Sequence, residues 1–261
     1  MNAEILRFAP LDAGAVRVLL CDADDNLFAS EQPAFEACTA VVNRLLADLE
    51  IERRFSAREL RLRAAGRNFR AIAQELAQEA GVTIDAGELE RRVVQERVQV
   101  IAHLRGALRP DREVLEPLTE LARRYRLAAV SSSATERLDA CFAAAGLAEL
   151  FPPGLRFSAE DSLPVPTSKP DPAIYAFAGE RLGMSGAQGL AVEDAVAGVR
   201  SAVAAGFPTV GNLQFVAADE REDRVAALRD AGAAAIVFSW RGLGELLAGH
   251  HVAGAARSGP S

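Results

Sequence analysis

Residues 189–206 read GLAVEDAVAGVRSAVAAG. The opening run, Gly189 to Val192, is short and apolar, and it closes on two carboxylates, Glu193 and Asp194. The rest carries small and apolar residues at helical spacing and stops at Gly206. A buried strand that ends in charge and feeds directly into a helix is half of a strand–helix–strand unit.

The same rhythm recurs on both sides. Upstream, REVLEPLTELARRY (112–125) reads as a helix before the strand LAAV (127–130), which runs into Ser131-Ser132-Ser133. ERLDACFAAAG (136–146) is helical and closes at Gly146, and LRFSAE (155–160) reads as a short strand. Asp171-Pro172 supplies an N-cap and first-turn pair for DPAIYAFAGERLG (171–183). Downstream, FPTVG (207–211) and AAIVFS (234–239) are further strands, with a loop expected over 212–223. Near the start, VRVLLC (16–21) is a buried strand ending at Asp22. Alternating strands and helices imply a parallel sheet covered on both faces.

Residues 33–106 break this rhythm. Phe35, Val42, Leu45, Leu46 and Leu49 are spaced for a helix, and Ser56-Ala57-Arg58-Glu59 has the form of a capping box. RNFRAIAQELAQEA (67–80) ends at Gly81, and Asp85 to Glu88 offers another cap before Leu89, Val93, Ile101 and Leu104. The expected fold class is α/β, a three-layer core with a parallel sheet plus an all-helical insert after the first strand. The expected boundaries are core 14–32 and 107–249, helical insert 33–106, and a flexible tail 250–261.

Bulk properties exclude several classes. A net charge of −7 argues against a nucleic-acid partner. No apolar run is long enough for a membrane span, and Met1 to Arg17 lacks the order of a secretion signal. Three cysteines and three histidines, two of the latter in the tail, make a disulfide frame, zinc site or histidine triad a poor fit. A cytoplasmic protein, monomeric or weakly dimeric, is expected.

Chemistry-bearing residues collect at the carboxyl ends of strands, where open parallel sheets bind ligands. These are Asp22 and Asp24, Ser131 and Ser132, Lys169 in Ser168-Lys169-Pro170, and Glu193-Asp194. Lys169 is the one lysine among 29 basic residues. A compact ammonium fits where a planar guanidinium does not. Carboxylates this dense repel one another unless a cation joins them, and an oxygen-only set favours Mg²⁺.

The four segments LLCDADDNLF, LAAVSSS, SKPDP and LAVEDAVAGVRSAVAAG resemble, in order and spacing, the motifs of the haloacid dehalogenase superfamily, in its phosphatase and β-phosphoglucomutase-like branch with a helical cap. The resemblance covers about residues 16–240 and implies a Rossmann-like core. It implies that Asp22 is a nucleophile forming an aspartyl-phosphate and that Asp24 is the general acid and base. Ser131 and Ser132 would bind the phosphoryl group, and Lys169 would neutralise it while pairing with Asp22. Mg²⁺ would be held by Asp22, the Asp24 backbone carbonyl and Asp194, with Glu193 in support.

The expected activity is hydrolysis of a small phosphate ester, such as a sugar phosphate or a phosphoglycolate-like compound. A sugar phosphomutase and a catalytically weak phosphate-binding protein remain alternatives. Asp25-Asn26 departs from the family's usual Gly-Thr or Gly-Val, and Asp25 is expected to face water. Arg67, with Asn68 and Arg70, is read either as a substrate contact or as a solvated helix cation. Phe28 and Phe69 are read as an apolar wall or as core. Arg156 is placed at the entrance, and hinges are expected at 30–33 and 107–110.

Overall fold

The computed structural model describes residues 5–64, 69–184 and 186–254. The chain divides into two compact units, one formed by Met1–Phe28 with Arg109–Ser261 and the other by Ala29–Leu108.

The first unit is built on a seven-stranded sheet. Its strands are β1 (Ile5–Arg7), β2 (Val18–Cys21), β3 (Arg126–Ser131), β4 (Arg156–Ser158), β5 (Gly189–Glu193), β6 (Thr209–Asn212) and β7 (Ala235–Val237). They lie in the order β1-β7-β6-β5-β2-β3-β4. All pairs are parallel except β1, which runs antiparallel to β7 with Leu6 opposite Ile236. This is a Rossmann-like α/β core. Strand β2 is central and buried on both faces, which is why VLLC is apolar throughout. Val18 and Leu20 point into a cluster with Val130, Phe157, Ile174 and Phe207, whereas Leu19 and Cys21 alternate to the other face.

The expectation that VRVLLC is the first strand is corrected, because Ile5–Arg7 precedes it. Three residues ending in arginine carry no periodicity, and only the edge of β7 gives them a ladder. The core accordingly begins before residue 14. At the other end, the final helix α10 (Trp240–Gly254) runs past residue 250, where a tail was expected.

Around the sheet lie helices α5 (Arg112–Ala122), α6 (Thr135–Ala144), α7 (Ala173–Leu182), α8 (Val196–Ala204) and α9 (Arg221–Asp230). Asp111 caps α5 by accepting from the Glu113 backbone N–H at 2.9 Å, a contact worth about 1 kcal/mol. The N-terminus of α6 has no cap of its own; Asp161, from the segment after β4, accepts from Thr135 N instead at 2.6 Å.

The second unit holds helices α1 (Glu31–Asp48), α2 (Ala57–Ala64), α3 (Phe69–Glu79) and α4 (Ala86–Ala107). Its core is drawn from Val42, Leu45, Leu60, Ile72, Leu76, Ile101 and Leu104, all nearly inaccessible. The capping box forms: Ser56 N donates to Glu59 Oε2 at 2.8 Å, and Glu59 N donates to Ser56 Oγ at 3.3 Å. Asp85 accepts from Gly87 N and Glu88 N to start α4. Among the described residues, no helix is long and apolar enough to cross a membrane.

Candidate active site

Strand order creates the site. From β2 the chain goes to β3 on one side and later to β5 on the other. That reversal is a topological switch point, where a crevice opens beyond the strand ends. Asp22 leaves β2, Glu193 and Asp194 leave β5, and Ser131 ends β3. Register brings the two acidic ends level: Cys21 lies opposite Val192, and Asp22 N donates to Val192 O at 2.9 Å.

Lys169 is placed among them. Its ammonium donates to Asp22 Oδ1 (2.5 Å), Glu193 Oε1 (2.6 Å) and the Val130 backbone oxygen (2.8 Å). All three of its N–H bonds are therefore used by acceptors from three adjacent strands. The Tyr175 hydroxyl also donates to Glu193 Oε1, and its ring lies 5.3 Å from the ammonium. The Lys169 backbone N–H donates to Ser132 Oγ at 3.1 Å, tying this segment to the loop after β3. Ser131 is buried, and its hydroxyl accepts from Ser133 N at 3.1 Å.

The carboxylates of Asp22, Glu193 and Asp194 each offer an oxygen within 4.8 Å of the others. Burial and the neighbouring Glu193 push the Asp22 carboxyl up from 3.8 to about 8, although Lys169 pulls it down. Burial, then Asp22, Glu193 and Asp25, raise Asp194 well above its ordinary value. Burial alone would lower Lys169, but Asp22 and Glu193 overcome it and raise the ammonium further. One ammonium does not balance three close carboxylates. This buried, oxygen-only, electron-rich set fits a hard divalent cation.

This electrostatic crowding gives a pH prediction. Because folding raises the Asp22 pKa, the protonated form is the one folding favours. Its contribution is complete below 3.8 and disappears as pH rises through about 8. Metal-free protein should therefore lose stability over that window. The increase in melting temperature caused by Mg²⁺ should grow from pH 6 to pH 9, because binding needs the deprotonated carboxylates. Thermal melts with Mg²⁺ and with EDTA across that range check both trends.

Asp24 is held differently. Its Oδ2 accepts from Ser133 Oγ at 2.6 Å, and its Oδ1 accepts from Arg137 Nη2 at 2.7 Å. Its side chain is thus not part of the three-carboxylate group. Glu193 faces Lys169 and Tyr175 through Oε1, and its Oε2 packs over Gly198. A Cβ on Gly198 would lie 1.7 Å from that oxygen. Replacing a helical glycine by alanine ordinarily stabilises by about 0.5–1 kcal/mol. Gly198→Ala should instead lower the melting temperature and displace Glu193 from Lys169. A melting temperature at or above wild type would contradict this packing.

Other sequence expectations resolve unevenly. Asp25 takes a left-handed backbone (φ 51°), so the turn is kept without glycine. It is half-buried rather than simply solvated, and its charge reaches Asp194. Arg156 does not stand at an entrance: its side chain is 5% exposed, and its guanidinium donates to Phe151 O and Asp139 and stacks over Phe142. Phe28 and Phe69 are core residues, Phe28 meeting Phe142 edge to face at 5.4 Å. Arg70 is a solvated cation paired with Glu90. Arg67 and Asn68 lie outside the described residues.

Sequence reading missed Arg137, Tyr175, Gly198, Asn212 and Trp240. Tyr175 was traceable in part, since it lies six residues after Lys169 on the helix that Asp171-Pro172 starts, which limits how far it strays. Arg137 is one of many arginines and gave no signal.

A parallel α/β core with an acidic cluster and a buried lysine at its switch point defines a class of hydrolases. The haloacid dehalogenase-like hydrolase family matches residues 16–206, and the chain belongs to that family. No curated protein matches the sequence. Among solved structures, a haloacid dehalogenase-like protein of unknown function from Agrobacterium tumefaciens is 25% identical, with a TM-score of 0.67, over 90% of this chain and 99% of that one. A HAD family hydrolase from Deinococcus radiodurans, solved with bound phosphate and sodium, is 24% identical (TM-score 0.65; 94% and 98% covered). A predicted phosphoglycolate phosphatase from Haemophilus somnus is 20% identical (TM-score 0.69; 89% and 98% covered).

Proposed function

We propose that this protein is a Mg²⁺-dependent phosphomonoester hydrolase that works through an aspartyl-phosphate on Asp22. The observation that carries the reading is the buried Asp22 carboxylate, held by Lys169 beside Glu193 and Asp194 at the carboxyl end of the central strand. A simple phosphate-binding protein has no use for a nucleophile this costly to ionise.

Asp22, the Asp24 backbone carbonyl and Asp194 would hold the ion, with Glu193 in support. When bound, Mg²⁺ supplies positive charge to Asp22 and to the phosphoryl oxygens. The chain's own residues do the rest. An Asp22 oxygen attacks phosphorus while the bond to the leaving oxygen breaks, and Asp24 gives that oxygen a proton. Asp24 then removes a proton from water as it attacks the aspartyl-phosphate, releasing inorganic phosphate and the Asp22 carboxylate. Lys169 neutralises charge on the phosphoryl group, and Ser131 and Ser132 with nearby backbone N–H groups orient it. Ser133 and Arg137 keep the Asp24 carboxylate from rotating freely.

Substrate selection is assigned to the helical unit 29–108, acting as a cap, with Arg67 as its candidate contact. Small sugar phosphates and phosphoglycolate-like esters are the proposed class, and the cytoplasm is the proposed location. Hydrolysis of an aryl phosphate with Mg²⁺ and with EDTA, followed by a panel of such esters, tests the reading. EDTA-resistant turnover, or none on any ester by folded protein, would overturn it.

A further inference from the structure

Beyond Asp22, four residues close a ring of hydrogen bonds. Asn26 Nδ2 donates to the backbone oxygens of Asp22 (2.9 Å) and Val192 (3.0 Å). Those two carbonyls fix the amide orientation, since only the nitrogen side can face them. Oδ1 then accepts from Asn212 Nδ2 at 2.9 Å, which leaves Asn212 Oδ1 to accept from Gln214 N at 3.2 Å. Gln214 Oε1 accepts from Trp240 N at 3.2 Å, and Trp240 Nε1 returns to the Asn26 backbone oxygen at 2.9 Å. Asn26, Asn212 and Trp240 are each 0% exposed. In such a site each group lost leaves its partner unsatisfied and out of reach of water.

The ring's position gives it a consequence for the carboxylates. The ladder between β2 and β5 ends with Asp22 N on Val192 O. Asn26 adds a second donor to that same oxygen and also grips the Asp22 carbonyl. It therefore ties the strand end bearing Asp22 to the strand end bearing Glu193 and Asp194. Asn212, at the end of β6, and Trp240, at the start of α10, hold Asn26 in turn. Both lie beyond residue 206, where the family match ends.

We infer that Asn212 and Trp240 are positioning residues for the metal-binding carboxylates, acting through Asn26 to set the spacing between Asp22 and Asp194. The inference rests on the proposed reading of that cluster as a Mg²⁺ site. Mg²⁺ accepts little departure from octahedral geometry, so a small drift between the strand ends weakens its binding.

Calorimetric titration of the full chain with Mg²⁺ alone tests this, with melting curves to establish folding. Trp240→Phe removes one donor and keeps most of the ring's bulk, and Asn212→Val strands the Asn26 oxygen. Each should weaken Mg²⁺ binding about tenfold or more and lower kcat while KM for an aryl phosphate moves little. Asn26→Thr removes the tie itself and should weaken binding at least as much, and Asn26→Thr/Asn212→Val should bind Mg²⁺ about as weakly as Asn26→Thr alone, because Asn212 acts through Asn26. Wild-type Mg²⁺ affinity in folded Trp240→Phe and Asn212→Val, or simple additivity in the double variant, would overturn the inference. Wild-type protein that binds Mg²⁺ but hydrolyses no ester removes the hydrolase reading and leaves the isotherms to decide this one. Wild-type protein that binds no Mg²⁺ overturns it.

Discussion

Asp22→Asn is expected to lower phosphatase turnover by about 10⁴-fold or more, because it removes the nucleophile itself rather than a group that assists it. The substitution is isosteric, and Asp22 is buried just beyond the end of β2 with its N–H on Val192 O. Unfolding will not explain the loss. Folding raises the Asp22 pKa to about 8, so at high pH the folded protein carries a charge that the fold disfavours. A neutral amide relieves that burden. Metal-free Asp22→Asn should melt at or above the wild-type temperature at pH 9, while Mg²⁺ stabilises it less. Activity and stability are thus expected to move in opposite directions, which is the mark of a site where function is held at the expense of stability. Kinetics and thermal melts on the same preparation read both.

Lys169→Met carries the second large effect, and its sign on stability is the reverse. The Lys169 side chain is 6% exposed, and its ammonium is the counter-charge to both Asp22 and Glu193. Removing one partner of a buried ion pair costs about 3–5 kcal/mol, because the other charge remains without compensation. The melting temperature should fall, more at pH 9 than at pH 6, since protonation of the carboxylates relieves the repulsion. Turnover should fall by about 10²–10³-fold or more with the loss of a charge directed at the phosphoryl group. Lys169→Arg should fare little better. Three acceptors from three strands converge on one tetrahedral nitrogen, and a planar guanidinium cannot direct three N–H bonds from a single atom. Wild-type kcat in Lys169→Arg would contradict this geometry.

The single lysine among the basic residues pointed to a position with a local reason: its ammonium meets acceptors from three adjacent strands at one nitrogen. The order of strands and helices from residue 112 to residue 239 was also legible, whereas α10 was not foreseen. There each strand is buried on both faces and each helix starts or stops on a cap or glycine, so local pattern and tertiary environment agree. The edge strand Ile5–Arg7 was not legible, since its only ladder partner is β7, more than 200 residues away. Arg156 misled for a related reason. An arginine beside a strand reads as a surface cation, yet here it satisfies Phe151 O and covers an aromatic ring.

Within the candidate site, residues at strand ends could be found because topology makes those positions special. Tyr175, Gly198 and Arg137 act from helices that return to the site. Nothing in a single helix's periodicity says which of its residues meets a carboxylate. Asn26 stood out as a departure from the family's usual residue, but its partners Asn212 and Trp240 become visible only when β6 and α10 are in place.

The central claim is that Asp22 becomes phosphorylated. Rapid acid quenching during turnover of an aryl phosphate with Mg²⁺, followed by intact-mass analysis and peptide mapping, tests it most directly. The account predicts one added phosphoryl group, located on Asp22, absent with EDTA and absent in Asp22→Asn. Mg²⁺-dependent turnover with no adduct at Asp22, and with activity retained in Asp22→Asn, would contradict it.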